Sequence, residues 1–200
     1  MIAKNRNVRA SKVSLEKASS SLKSHLKYIQ YRSRDALMES KEDRYLFSKE
    51  SDYVDRREAH DTVMKERVGD IYYHSLILSP APDEPVNDWQ TWTREVMHDV
   101  ERAQGLNLTW YASHHHNTDH PHIHVVIQGT GEQQETGQAE RVSFSSSDFR
   151  VLRESGRAHS EYEHYHLIEE TLREVNEREA FLETMPDHQQ NELLPTIERS

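Results

Sequence analysis

Residues 121–128 read Pro-His-Ile-His-Val-Val-Ile-Gln. A short run rich in β-branched residues, opened by proline and closed by Gly129, reads as a strand. Side chains alternate across a strand, so His122 and His124 share one face while Ile123, Val125 and Ile127 share the other. The chain must therefore build a sheet with one face on an apolar core and the other carrying two imidazoles, ~7 Å apart along the strand at its ~3.3 Å rise per residue. Six of the 14 histidines lie between His114 and His124. Neutral imidazoles converge readily on one divalent ion at ~2.0–2.2 Å. A strand over 108–113 ends beside this pair and delivers a third candidate ligand from His114, His115 or His116. Three protein ligands leave coordination positions for a substrate oxygen, as a catalytic site requires.

Periodicity supplies the neighbouring elements. Leu22, Leu26 and Ile29 follow helical spacing and predict a helix over 14–31. Residues 33–68 are polar and charged, with short apolar stretches, and read as a long excursion containing some helix. The run 71–79 (IYYHSLILS) predicts a buried strand ending at Pro80. Trp89, Trp92, Val96, Val100 and Ala103 mark a helix capped by Asn87 or Asp88 and stopped by Gly105. Residues 129–140, with three glycines and one apolar side chain, read as a mobile loop, and 141–144 as a short strand. Ser145 to Asp148 resembles a capping box that opens a helix running to about Leu182. Strand, helix and strand with adjacent antiparallel strands predict an α+β domain. The expected division is a catalytic domain over 1–160 with a basic N-terminal arm, and an acidic helical extension over 161–200.

Charge is unevenly spread. The net charge is -10, yet residues 1–34 hold nine Lys/Arg against one acid, which makes that segment +8 and the remainder -18. Such asymmetry suggests a basic face for a polyanion and a repelling, solvated remainder. Lys4, Arg6, Arg9, Lys12, Lys23 and Lys27 are the candidate phosphate contacts. No run approaches the ~18 apolar residues of a membrane span, and the first residues lack the apolar core of a secretory signal. The absence of cysteine removes disulfides, thiolate zinc sites and cysteine nucleophiles, and fits a cytoplasmic protein.

The stretch His115-His116-Asn117-Thr118-Asp119-His120-Pro121-His122-Ile123-His124, entered from Trp-Tyr-Ala and left through Val-Val-Ile, resembles the metal-binding motif of conjugative relaxases. These are DNA strand transferases of the HUH endonuclease superfamily, and the likeness is to the MOBP class. Met1 to Lys4 and the segment His25-Leu26-Lys27-Tyr28-Ile29-Gln30 are similar to that class's N-terminal strand and tyrosine-bearing helix. The resemblance covers roughly residues 1–160. It implies a five-stranded antiparallel sheet flanked by helices in a ferredoxin-like arrangement. It also implies a divalent ion, Mn2+ or Mg2+, on His115, His122 and His124, and a covalent 5′-phosphotyrosine. The expected activity is site- and strand-specific nicking at a conjugative transfer origin, with later rejoining. Expected partners are single-stranded DNA, accessory DNA-binding proteins and a type IV secretion coupling protein.

Tyr28 is the candidate nucleophile among nine tyrosines. It lies in the basic segment, and at 100° per residue it falls off the Leu22–Leu26–Ile29 stripe. Tyr31 is its nearest competitor. Tyr72, Tyr73 and Tyr111 are strand residues expected to pack, and Tyr162 and Tyr165 lie among acids. Asp119 is expected to orient a ligand imidazole or to act as a base. Three other readings compete. A rolling-circle initiator or transposase shares the chemistry, but its tyrosine typically follows the histidine pair. A metal-free histidine-triad hydrolase would use His120, His122 and His124, with a histidine as nucleophile. A non-catalytic DNA-binding module would use the basic face alone.

Overall fold

A computed structural model describes residues 1–31, 45–65, 67–115 and 121–183. It divides into two units, Met1–Glu161 and Tyr162–Ser200. The first unit is built on the strands β1 (Ile2–Arg9), β2 (Phe47–Ser48), β3 (Ile71–Ser79), β5 (Trp110–His115) and β6 (His122–Gln128). They form one five-stranded sheet in the order β1-β3-β6-β5-β2, every neighbouring pair antiparallel. The fold is thus α+β with a central antiparallel sheet flanked by helices, as the alternation of periods predicts. The basic N-terminal segment is not a loose arm: Ile2 to Arg9 forms an edge strand paired along β3.

Each face of the sheet buries its own core. On one face lie Leu76 and Leu78 of β3, Trp110 and Ala112 of β5, and Ile123, Val125 and Ile127 of β6. Helix α3 (Trp89–Gln104) covers them with Trp92, Val96, Met97 and Val100. Its ends follow local rules. Asp88 accepts from the Gln90 and Thr91 N–H groups, and Gly105 takes the left-handed conformation at φ 66 that closes the helix. Leu152 of α4 (Ser146–Glu183) completes this core. Trp92 meets it from α3, and its indole N–H donates to the Gly156 carbonyl at 2.9 Å.

On the opposite face, α1 (Leu15–Tyr31) and α2 (Arg56–Lys65) pack through Ala18, Leu22, Leu26, Ile29, Ala59 and Val63 against Tyr73, Tyr111 and Val126. The stripe on α1 is the one its 4,3 spacing predicts. Tyr72, Tyr73 and Tyr111 are all buried, as expected of packing residues.

A second sheet replaces the expected loop over 129–140. Its strands are β4 (Leu106–Asn107), β7 (Thr130–Gln133) and β8 (Ala139–Arg141), in the order β4-β7-β8. The anticipated strand over 141–144 lies earlier in the chain and ends at Arg141. Polar side chains serve here because β8 is exposed throughout and β7 buries only Thr130 and Gly131. Gly129 carries the chain from one sheet to the other. A Cβ there would collide with the Ile71 carbonyl, so only glycine permits the approach. Among the described residues, no helix is long and apolar enough to cross a membrane.

Candidate active site

Register decides what meets what. In β5 and β6, His115 pairs with His122 and Ser113 with His124. Residues paired across a sheet share a face, so His115, His122 and His124 all point toward α1. Their ring centroids lie 5.2 Å (His115–His122), 4.8 Å (His115–His124) and 4.9 Å (His122–His124) apart. One ligating atom from each falls within 4.8 Å of the others. His114 pairs with Ile123 on the opposite face, where its ring stands 6.4 Å from Phe47. His116, Asn117, Thr118, Asp119 and His120 lie outside the described residues.

The donor set fits a divalent cation. His122 Nε2 and His124 Nε2 are 3.1 Å apart. At metal–nitrogen distances of ~2.0–2.2 Å, two nitrogens so spaced subtend roughly a right angle at a shared ion. The His115 Nε2–H donates to the Ile29 carbonyl at 2.7 Å. A carbonyl can only accept, so this bond sets the tautomer and turns Nδ1 into the lone-pair nitrogen. Metal-bound histidines characteristically anchor their second ring nitrogen in this way. Ser113 Oγ–H donates to the same carbonyl at 3.0 Å, so the last turn of α1 is tied to β5 twice.

That tie positions Tyr28. Its ring centroid stands 6.2 Å from that of His124, edge to face, and the residue is 41% exposed. His25, one turn earlier, stacks 6.4 Å from Tyr28 and meets His124 edge-on at 6.0 Å. His25 Nε2 is 2.9 Å from Ser75 Oγ. Burial, and then the Arg6 guanidinium, hold His25 below the usual imidazole range. His25 is the site residue that the histidine pattern alone does not disclose. Its i, i+3 spacing from Tyr28 is the signal that places both on one side of α1. Tyr31 is equally exposed but sits elsewhere, under the Arg56 guanidinium at 5.5 Å.

The basic residues divide into groups. Lys4 pairs with Ile77, which pairs with His124, so Lys4 shares the histidine face two strands away, ~10 Å at ~4.8 Å per strand. Arg6 is on the same face, in the row of Ser75, and both side chains are exposed. Lys23 and Lys27 are exposed on α1 and line a cleft against α2. Lys12 is exposed in the turn before α1. Arg9 is already engaged, 3.5 Å from the Asp70 carboxylate.

Comparison with known proteins bears on the fold and the family. No curated protein sequence matches significantly. Among solved structures, the chain is similar to the conjugative relaxase TrwC in complex with oriT DNA, in a metal-bound structure. The identity is 14% and the TM-score 0.52, over 83% of this chain and 70% of that one. A second TrwC structure, complexed with a 27-mer DNA comprising the recognition hairpin and the cleavage site, is 14% identical with a TM-score of 0.47, over 83% and 69%. This likeness is one of fold. Residues 28–180 match the family described as relaxase, MobA/VirD2-like, nuclease domain. That match favours neither the initiator nor the histidine-triad reading. The chain therefore belongs to the MobA/VirD2-like relaxases and carries their nuclease domain, an enzyme that nicks DNA at a transfer origin.

Proposed function

We propose that this domain nicks by transesterification at Tyr28, with His115, His122 and His124 holding a divalent cation. One observation carries the reading: a half-exposed tyrosine stands edge to face with a buried histidine of a three-imidazole cluster. A phosphodiester resists attack because its charge repels nucleophiles. The cation, when bound, neutralises a non-bridging oxygen and is worth several kcal/mol in the transition state. Tyr28 Oη forms the new bond to phosphorus as the bond to the 3′ oxygen breaks. The phenolic proton leaves Tyr28, and the departing 3′ oxygen takes up a proton. The product is a 5′-phosphotyrosine. A phenolate is a good leaving group, so the bond energy is retained and the strand can be rejoined.

Imidazole ligands suit Mn2+ better than Mg2+, although abundance favours Mg2+. Asp119 is assigned to orient a ligand imidazole or to take the phenolic proton. Lys4, Arg6, Arg9, Lys12, Lys23 and Lys27 are assigned to phosphates of a single strand, with Lys4 and Arg6 on the reacting face. Residues 1–160 would then be the catalytic domain and 161–200 an acidic helical extension. Cytoplasmic action with accessory DNA-binding proteins and a type IV secretion coupling protein completes the reading. The test is a denaturing gel of the protein with Mn2+ and a labelled oligonucleotide carrying its origin. A shifted band whose adduct maps to the Tyr28 peptide is expected. An adduct on Tyr31 or on a histidine, or nicked DNA free of protein, overturns the assignment.

A further inference from the structure

Helices α1 and α2 enclose a cleft of about 470 Å3. Lys23 and Lys27 of α1 face Arg56 and Arg57 of α2 across it. Among the described residues, Asp61 is the one carboxylate that lines the same cleft, and it lies 2.7 Å from His60 Nδ1. The other ring nitrogen of His60 is 2.9 Å from Ser19 Oγ, so His60 ties α2 to α1 at the cleft floor. Among the described residues, no carboxylate lies within 4.0 Å of the four cations.

Two features oppose a merely structural role. Arg56 and Arg57 occupy the first turn of α2, where the helix dipole disfavours positive charge. Four cations gathered with one acid also repel one another, a cost that an anionic ligand would remove. The cleft is organised in advance. Arg56 donates to Gln30 Oε1 at 3.2 Å and lies over the Tyr31 ring, both on the turn of α1 that follows Tyr28. Lys27 is the residue next to Tyr28 in the chain, and Lys23 lies four residues, ~6 Å, earlier on the same helix.

We infer that this cleft is a phosphate subsite that grips the DNA single strand beside the scissile phosphate, with Arg56 and Arg57 as its unassigned half. It rests on the Tyr28 reading for its place along the strand, and not for its chemistry. Salt dependence of binding tests it without requiring cleavage. The probe is a fluorescein-labelled oligothymidylate titrated with the full chain over a range of NaCl. Removing one cation from a phosphate lowers the log–log slope by ~0.7 for single strands. Arg56→Gln/Arg57→Gln should weaken binding and lower the slope by about 1.4. Arg56→Lys/Arg57→Lys should restore most of the slope. Arg102→Gln/Arg153→Gln, which removes equal charge from outside the cleft, should leave it near the wild-type value. If the double glutamine variant fails to fold by circular dichroism, Arg57→Gln alone changes one exposed side chain and should lower the slope by about 0.7. An unchanged slope in the cleft variants, or an equal reduction in Arg102→Gln/Arg153→Gln, overturns the inference. Loss of duplex binding with single-strand binding intact overturns it too. A wild-type chain that binds oligothymidylate with the expected slope but forms no adduct with Mn2+ and the oligonucleotide carrying its origin overturns the Tyr28 reading and leaves the subsite standing.

Discussion

His74 and His124 are buried imidazoles on adjacent strands of the same sheet, and they face opposite ways. His74 lies on the face covered by α3, where both its nitrogens are committed to neutral groups. Nδ1 is 3.0 Å from Asn5 Nδ2, and Nε2 is 3.1 Å from the Val142 carbonyl. Since the carbonyl can only accept, Nε2 carries the hydrogen and Nδ1 takes the amide hydrogen of Asn5. His124 lies on the face covered by α1, among His115, His122, His25 and Tyr28. One imidazole completes a core; the other belongs to a three-histidine group that could hold a metal ion. The faces differ in the same sense. The α3 face is closed by Trp92, Val96, Met97 and Val100, whereas the α1 face carries serines, histidines and exposed lysines among its apolar residues. Both faces bury an apolar core, and among the described residues the α1 face adds the three-imidazole cluster and Tyr28 to its own.

Substitutions sharpen that division, beginning with the largest effect. Tyr28→Phe removes one hydroxyl from a half-exposed ring, so folding and DNA affinity should hold while covalent adduct on a denaturing gel disappears. Residual adduct at wild-type level would move the nucleophile elsewhere. His122→Ala should lower Mn2+ affinity by more than the ~10–100-fold typical of losing an outer-shell partner, and should slow cleavage with Tyr28 still in place. Calorimetric titration of Mn2+ reads this directly, and an unchanged affinity would break the metal assignment.

On the other face, Trp92→Ala opens a cavity in a fully buried position and abandons the Gly156 carbonyl, so it should cost about 3–5 kcal/mol in urea unfolding. The folded fraction should bind Mn2+ normally. A loss of metal affinity without loss of stability would erase the distinction between the faces.

The smallest effect is a pH dependence from His74. Burial pushes its pKa down to about 4, with the nearby Arg9 charge acting in the same direction and the Val142 carbonyl opposing. The unfolded chain therefore binds a proton below about pH 6.5 that the folded chain refuses until about pH 4. Its contribution is complete above pH 6.5 and is lost as the pH falls through that window, to a total of about 3 kcal/mol. His74→Gln should flatten the urea midpoint against pH between these limits. An undiminished slope would assign the effect to other groups.

Much of this was legible in the residues because the signals are local. The alternation of Ile123, Val125 and Ile127 against His122 and His124 needs nothing beyond the geometry of a strand. The Leu22–Leu26–Ile29 stripe placed Tyr28 off the core side of α1, and Asp88 and Gly105 bounded α3 by capping chemistry. The loop expected over 129–140 failed for a matching reason. Its strands carry polar side chains, and their order rests on Leu106 and Asn107, more than twenty residues away, and on the contact of Gly129 with β3.

The basic segment shows the same limit. Its charge was plain, but only the pairing of Lys4 with Ile77, and of Ile77 with His124, puts that charge on the face of the three histidines. Nothing near Arg56 in the chain reveals that it faces Lys27, because that meeting depends on how α2 packs on α1. Local pattern was enough to say which residues could form strands and helices, which side of each would be apolar, and that several imidazoles would cluster. Strand register brings His115 and not His114 to the pair, as the resemblance implied and the spacing left open, and helix packing sets Tyr28 beside it and four cations around one cleft. The physical reason is that periodicity is a property of neighbours along the chain, whereas register and helix packing are set by contacts between segments whose separation no local pattern encodes.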